Sequence, residues 1–241
     1  MAQYFELAPP THLAEAVECF WTMESGESFC HRVLPDGCAD IIFTRDSGKA
    51  SLMAVGTMTQ FADFQIPPKQ LTVGMRFRPG MWTAHFGVPS PEITDRLLPL
   101  EDLWGARGRA LLMQMADAAS PQHCAALLSR ALRPSPTRTP LQRALAWMET
   151  NAGCVSLDEV ASHAGLSVRQ FRRNCVQQAG VSPKLLARVL RFRKALGQVR
   201  AQAGEHAGLA ADCGYFDQSH FIAEFQRFAG KTPAAYLRAV R

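Results

Sequence analysis

Cys30 and His31, with Cys38 and Asp40 close behind, are residue types that bind metals or attack electrophiles. In a strand, consecutive side chains point to opposite faces, which argues against joint ligation by Cys30 and His31. Structural or solvated residues are the expectation there, with metal or thiol chemistry as the alternative. No G-x-S-x-G, H-E-x-x-H, P-loop or G-x-G-x-x-G occurs in the 241 residues, so the sequence offers no enzyme motif, no metal site and no cofactor site. Arg76 and Arg78 share one face of the alternating run Gln70–Arg78. They could grip an anionic effector, although a solvated sheet edge is the commoner explanation of such a pair. Arg169 and Arg173 are a third set. They stand four residues apart, opposite the apolar Phe171 and Cys175, so two guanidinium forks share one outer helix face. Such forks can bond base edges or phosphates.

The charge distribution says which part of the chain meets a polyanion. Lys and Arg number 26 against 21 Asp and Glu, a net charge of +5. Residues 1–133 hold 11 Lys/Arg and 14 Asp/Glu, a net −3; residues 134–241 hold 15 and 7, a net +8. Only the second half carries the electrostatic footprint of a nucleic-acid binder. No apolar run approaches the roughly 18–20 residues that cross a bilayer. Met1–Pro10 also lacks the basic-then-apolar order of a signal peptide, so a cytoplasmic protein without a membrane partner is expected. Cys19, Cys30, Cys38, Cys124, Cys154, Cys175 and Cys213 are odd in number and never form C-x-x-C. That pattern fits reduced core residues better than disulfides or structural zinc.

The elements that must position these residues divide at Arg133-Pro134-Ser135-Pro136-Thr137-Arg138-Thr139-Pro140, where three prolines remove donors and disfavour helix. We read residues 1–133 as one domain, 134–140 as a linker and 141–241 as a second domain. In the first, Val17–Met23, Ser28–Leu34, Ala39–Phe43 and Gln70–Arg78 read as strands, with turn chemistry at Pro35-Asp36-Gly37. Leu111, Leu112, Met115 and then Cys124, Leu127, Leu128 have helical spacing. Beyond the linker strand signals vanish. Ser156…Glu159 and Ser167…Gln170 fit capping boxes, and Ser182-Pro183 and Thr232-Pro233 fit helix starts. The fold class expected is α+β: a β-rich N-terminal domain, on the scale of a cupin-like half-barrel, with trailing helices, then an all-α domain.

The second half repeats with a period of about 50 residues. Val160-Ala161-Ser162-His163-Ala164-Gly165-Leu166 is echoed by Leu209-Ala210-Ala211-Asp212-Cys213-Gly214-Tyr215, and Ala179-Gly180-Val181-Ser182-Pro183 by Ala229-Gly230-Lys231-Thr232-Pro233. Each copy has a small residue at a helix crossing (Ala161, Ala210). Each then has a glycine to end the first helix (Gly165, Gly214) and a cap to open the second (Ser167, Asp217). That is the pattern of a helix-turn-helix, whose second helix fits a DNA major groove. Lys184–Arg200 reads as one connecting helix spanning roughly 25 Å. It could hold two reading helices on one face of a duplex.

These residues resemble the AraC/XylS family of bacterial transcription regulators over about 100 residues, from Leu141 onward. The segment Gly214-Tyr215-Phe216-Asp217-Gln218-Ser219-His220-Phe221, with Phe225 and Gly230-Lys231-Thr232-Pro233, carries the resemblance. Leu34-Pro35-Asp36-Gly37-Cys38-Ala39-Asp40 and Arg76-Phe77-Arg78-Pro79-Gly80 are similar to a domain found in front of such units, of sensing or dimerising type. The resemblance implies base contacts from Arg169 and Arg173, with Arg172 beside them, and from Gln218. His220, Gln226 and Arg227 would be phosphate or surface contacts. It also implies a regulator, more an activator than a repressor, with double-stranded DNA, RNA polymerase, a small-molecule effector and a second copy of the chain as partners. The sequence departs from the family pattern in three places. Ala223, followed by the acidic Glu224, stands where arginine is common; His206 and Gly208 weaken their helix; and Cys175 replaces a bulky aromatic.

Overall fold

A computed structural model describes residues 3–133, 138–201 and 208–240. The first domain contains β1 (Gln3–Leu7), β2 (Val17–Glu24), β3 (Phe29–Val33), β4 (Ala39–Arg45), β5 (Ala50–Val55), β6 (Ala62–Ile66), β7 (Leu71–Phe77) and β8 (Leu97–Pro99). Its helices are the short α1 (Trp82–Phe86) and α2 (Leu100–Trp104), then α3 (Ala106–Ala116) and α4 (Pro121–Ala131). Six strands form an open antiparallel sheet in the order β1-β2-β7-β4-β5-β8, and β3 pairs with β6 as a separate ribbon. The β-rich domain with trailing helices is therefore present, and its sheet is not a closed barrel.

Alternation builds two buried faces. Phe20 and Ile41 stand opposite Met75, and Phe43 stands opposite both Val73 and Leu52. That face packs on Leu111 and Met115 of α3 and Cys124 and Leu128 of α4. The other face carries Cys19, Trp21 and Met23, covered by Phe29 and Ile66 of the ribbon. Thr72 and Gly74, on the same alternating face of the strand as Arg76, are consequently buried. Pro35-Asp36-Gly37 does turn the chain, with Cys38 N donating to Asp36 Oδ1 at 2.9 Å. It joins strands of different sheets, because β4 finds its partners in β5 and β7.

The second domain is all helix: α5 (Pro140–Thr150), α6 (Leu157–His163), α7 (Val168–Ala179), α8 (Pro183–Ala201), α9 (Leu209–Asp212), α10 (Gln218–Ala229) and α11 (Pro233–Val240). Residues 134–137 of the proline-rich segment lie outside the described residues. The end of that segment corrects the sequence reading, since Thr139 caps α5 in a capping box with Gln142 and Pro140 is the first helical residue. Two cores form. Phe171, Cys175, Leu141, Leu145 and Met148 fill one; Phe221, Phe225, Phe228 and Tyr236 fill the other. The 19-residue α8 serves both, giving Leu186 and Leu190 to the first and Phe192 and Val199 to the second. Ion pairs of Arg193 with Glu18 and of Arg78 with Glu149 join the two domains. Among the described residues no helix is long and apolar enough to cross a membrane.

Candidate nucleic-acid interface

Both repeats close their first helix in the same way. Gly165 has φ +63° and Gly214 φ +74°, which glycine adopts without a Cβ penalty. The next amide reaches back five residues: Leu166 N donates to Ala161 O at 2.9 Å, and Tyr215 N to Ala210 O at 2.8 Å. This pairing satisfies carbonyls that the helix end leaves open. The second helix then starts on a cap. Ser167 forms a capping box with Gln170, and Asp217 Oδ1 accepts from His220 N at 2.7 Å. Two helix-turn-helix units, α6–α7 and α9–α10, are thereby set on one connecting helix.

On α7 the inward residues are Phe171, Cys175 and Ala179, all buried. Arg169, Arg172 and Arg173 are exposed, and among the described residues none has an ion-pair partner. The four arginines of α8 and its Lys194 differ: each meets a protein acceptor. Arg188 grips Glu224 with two bonds of 2.5 and 2.7 Å, and Arg191 donates to Gly153 O at 3.0 Å. Arg193 pairs with Glu18, Lys194 with Asp212 O, and Arg200 with the Tyr236 hydroxyl. The positive charge of the second domain is thus split. One set ties α8 to its neighbours in the second domain and to Glu18 of the first, and the α7 set is left facing solvent.

On α10 the residues Gln218, His220, Ala223, Gln226 and Arg227 are exposed, whereas Glu224 is buried against Arg188. The acidic residue therefore does not mark the reading face as its place beside Ala223 suggested. Cys175 is fully buried in place of a bulkier side chain, and burial pushes its thiol up to about 12, so it is an inert packing group. His206 lies outside the described residues; Gly208 precedes α9 with φ +88°. Phe216 escaped the sequence reading and is 93% exposed in the second turn. The repeat contained its signal: Gly214 to Phe221 is one residue longer than Gly165 to Phe171, and Phe216 is the residue inserted.

The residues singled out in the first domain are placed differently. Arg76 lies 3.2 Å from Asp36 and 3.7 Å from Asp40, and burial pushes the Asp40 carboxyl up to about 6 against the pull of Arg76. Arg78 lies past the end of β7 and meets Glu149 of α5 at 3.4 Å. The two arginines thus engage different carboxylates. Cys30 is exposed, Cys38 is buried beside Glu18, and all seven cysteines are free. Among the described residues no group of three His, Cys, Asp or Glu could hold a metal ion.

Fold and site together define a double helix-turn-helix DNA-binding domain preceded by a β-sheet domain. Residues 160–239 match the family described as "Helix-turn-helix domain", and residues 5–99 the family described as "Domain of unknown function (DUF6597)". The chain is 37% identical over 84 residues to the HTH-type transcriptional activator RhaS of Escherichia coli O139:H28 (strain E24377A / ETEC), and 36% identical over 84 residues to that of Escherichia coli O157:H7. Each match covers 34% of this chain and 30% of the relative, so the chain spans under a third of the length of these curated relatives. Among solved structures, it resembles the DNA-binding domain of AdpA in complex with a target DNA (25% identity, TM-score 0.41, 43% of this chain and 95% of that chain). It also resembles an AraC-type regulator from Chromobacterium violaceum (27%, TM-score 0.38, 42% and 89%). Residues 160–239 thus carry a helix-turn-helix domain similar to that of these regulators, and residues 5–99 a domain of the DUF6597 type.

Proposed function

We propose that this protein is a transcription activator that binds a specific duplex DNA site through α7 and α10, contacts RNA polymerase there, and is regulated through its N-terminal domain. The observation that carries the reading is the contrast between arginines: those of α8 are bonded to protein, while Arg169, Arg172 and Arg173 stand exposed beside the start of a capped helix. The N-terminal residues of such a helix contact base edges in the major groove. The activator role draws on the likeness to relatives that bear that description. The family relationship and these unpaired arginines favour a regulator over an enzyme. Selection of duplexes by the full chain from a random library, followed by titration across salt, tests the reading. Affinity should fall with salt at a log–log slope of about −0.9 per phosphate contact. A chain that retains no duplex, or binds with no salt dependence, overturns it.

A small-molecule effector and a homodimer belong to the same reading, through residues 1–133. To hold an anion, Arg76 would have to give up Asp36 and Asp40, and Arg78 would have to give up Glu149. An anionic effector using them would therefore loosen the contact between β7 and α5. A melting screen of the full chain with small carboxylates and phosphates should show ligands that raise the transition temperature. A wholly unresponsive chain would remove the anionic effector.

A further inference from the structure

The two recognition helices α7 and α10 end at equivalent points of the repeat, Gly180 and Gly230, and both ends are seated on the N-terminal domain. A helix leaves its last carbonyls unpaired and carries partial negative charge there. At the end of α7, Ser90 Oγ donates to Gln178 O at 2.6 Å, and Thr94 Oγ1 lies 3.0 Å from Gly180 O. Ser90 is buried, and a Cβ on Gly180 would run into Thr94 Oγ1. At the end of α10, Arg32 Nη1 donates to Ala229 O at 3.2 Å. A Cβ on Gly230 would come within 2.6 Å of Arg32 Nη1 and 2.8 Å of Phe61 Cζ.

The Arg32 contact is built in advance. Its guanidinium is held in a bidentate pair with Asp63 at 2.6 and 2.7 Å, and lies 4.3 Å from the centre of the Phe61 ring. Arg32 and Asp63 face each other across the β3–β6 ribbon, and Phe61 directly precedes it. The ribbon thus presents a fixed cation to the negative end of α10, while the segment around Ser90 and Thr94 meets the end of α7. Both contacts lie at the opposite end of each helix from the capped start, which leaves that start free for DNA.

We propose that Arg32 on one side, and Ser90 with Thr94 on the other, are positioning residues for DNA reading: through them the N-terminal domain holds each recognition helix separately by its C-terminal end. This rests on the DNA-binding reading above. Because, among the described residues, the hydrogen bond of Arg32 reaches the second unit and those of Ser90 and Thr94 reach the first, their effects separate by half of the binding site.

The test uses the full chain and the duplexes it selects, profiled with every single-base variant; the base pairs that lose discrimination in Gln218→Ala mark the half read by α10. Arg32→Ala should lower discrimination in that half by about threefold or more, the worth of one net hydrogen bond, and leave the other half unchanged. Arg32→Lys keeps the cation and should restore part of it, while Ser90→Ala with Thr94→Val should show the reverse pattern. In the free chain, amide exchange at Gln226–Ala229 should quicken in Arg32→Ala while exchange at Val176–Ala179 does not. Equal losses in both halves, or no change in either profile, overturn the proposal. A wild-type chain that retains no duplex overturns the DNA reading and this proposal with it, and the exchange measurement then still reports whether Arg32 caps α10.

Discussion

Arg173→Ala is expected to weaken binding at the selected site by about 1–3 kcal/mol and to relax preference at one or two base pairs. Phe171 and Cys175, both fully buried, fix the inner side of α7, which leaves Arg173 on the outer side with Arg169 one turn earlier. No carboxylate among the described residues restrains either guanidinium, so the fork can form the bidentate bond to guanine O6 and N7 that gives such a contact its discrimination. Titration on the selected duplex and on each single-base variant checks this. Equal weakening on every sequence would make Arg173 a phosphate contact and move base reading elsewhere.

Two neighbouring substitutions on α10 should act in opposite ways. Ala223 is exposed, and Ala223→Arg adds a charge on the reading face; binding should tighten most at low salt, and the salt slope should steepen by about 0.9. Glu224→Ala removes a negative charge one residue on, so net charge alone predicts tighter binding too. The structure predicts damage instead. Glu224 and Arg188 retain only 11% and 21% side-chain exposure, and removing one partner strands the other charge. A loss of about 2 kcal/mol in stability is expected, below the cost of breaking a fully buried pair because Arg188 keeps some solvent. The pH dependence follows. Burial pushes the Glu224 carboxyl up, but the Arg188 hydrogen bonds and charge outweigh it and hold it below its ordinary value. A depressed carboxylate contributes stability above its unfolded pKa and loses it as pH falls through the folded one, so this contribution should fade below about pH 4. Thermal melts of wild type and Glu224→Ala from pH 7 to pH 3 should converge at the acid end. Tighter DNA binding by Glu224→Ala with an unchanged melt would place Glu224 on the reading face.

By itself the sequence determined most of the helical half, because its information is local. Capping boxes at Ser156 and Ser167, the glycines at 165 and 214 and the proline starts at 183 and 233 each act within one turn of chain, and all appear in the structure. The repeat then multiplied that local signal. Four strands, β2, β3, β4 and β7, were legible from alternation and β-branched or aromatic content. β1, β5, β6 and β8 were not; β8 has only three residues and acquires its state by pairing to β5. Thr139-Pro140 looked like linker because its prolines were weighed as breakers, whereas a cap before a first-turn proline starts a helix. Only the tertiary structure decided which charges remain available. In sequence Arg188, Arg191, Arg193 and Arg173 are alike. Their difference arises because α8 lies between both cores and the first domain, within reach of Glu224, Gly153 O and Glu18, while among the described residues no carboxylate pairs with the exposed arginines of α7. Ion pairing depends on through-space distance, which residue spacing along the chain does not encode beyond a helical turn or two.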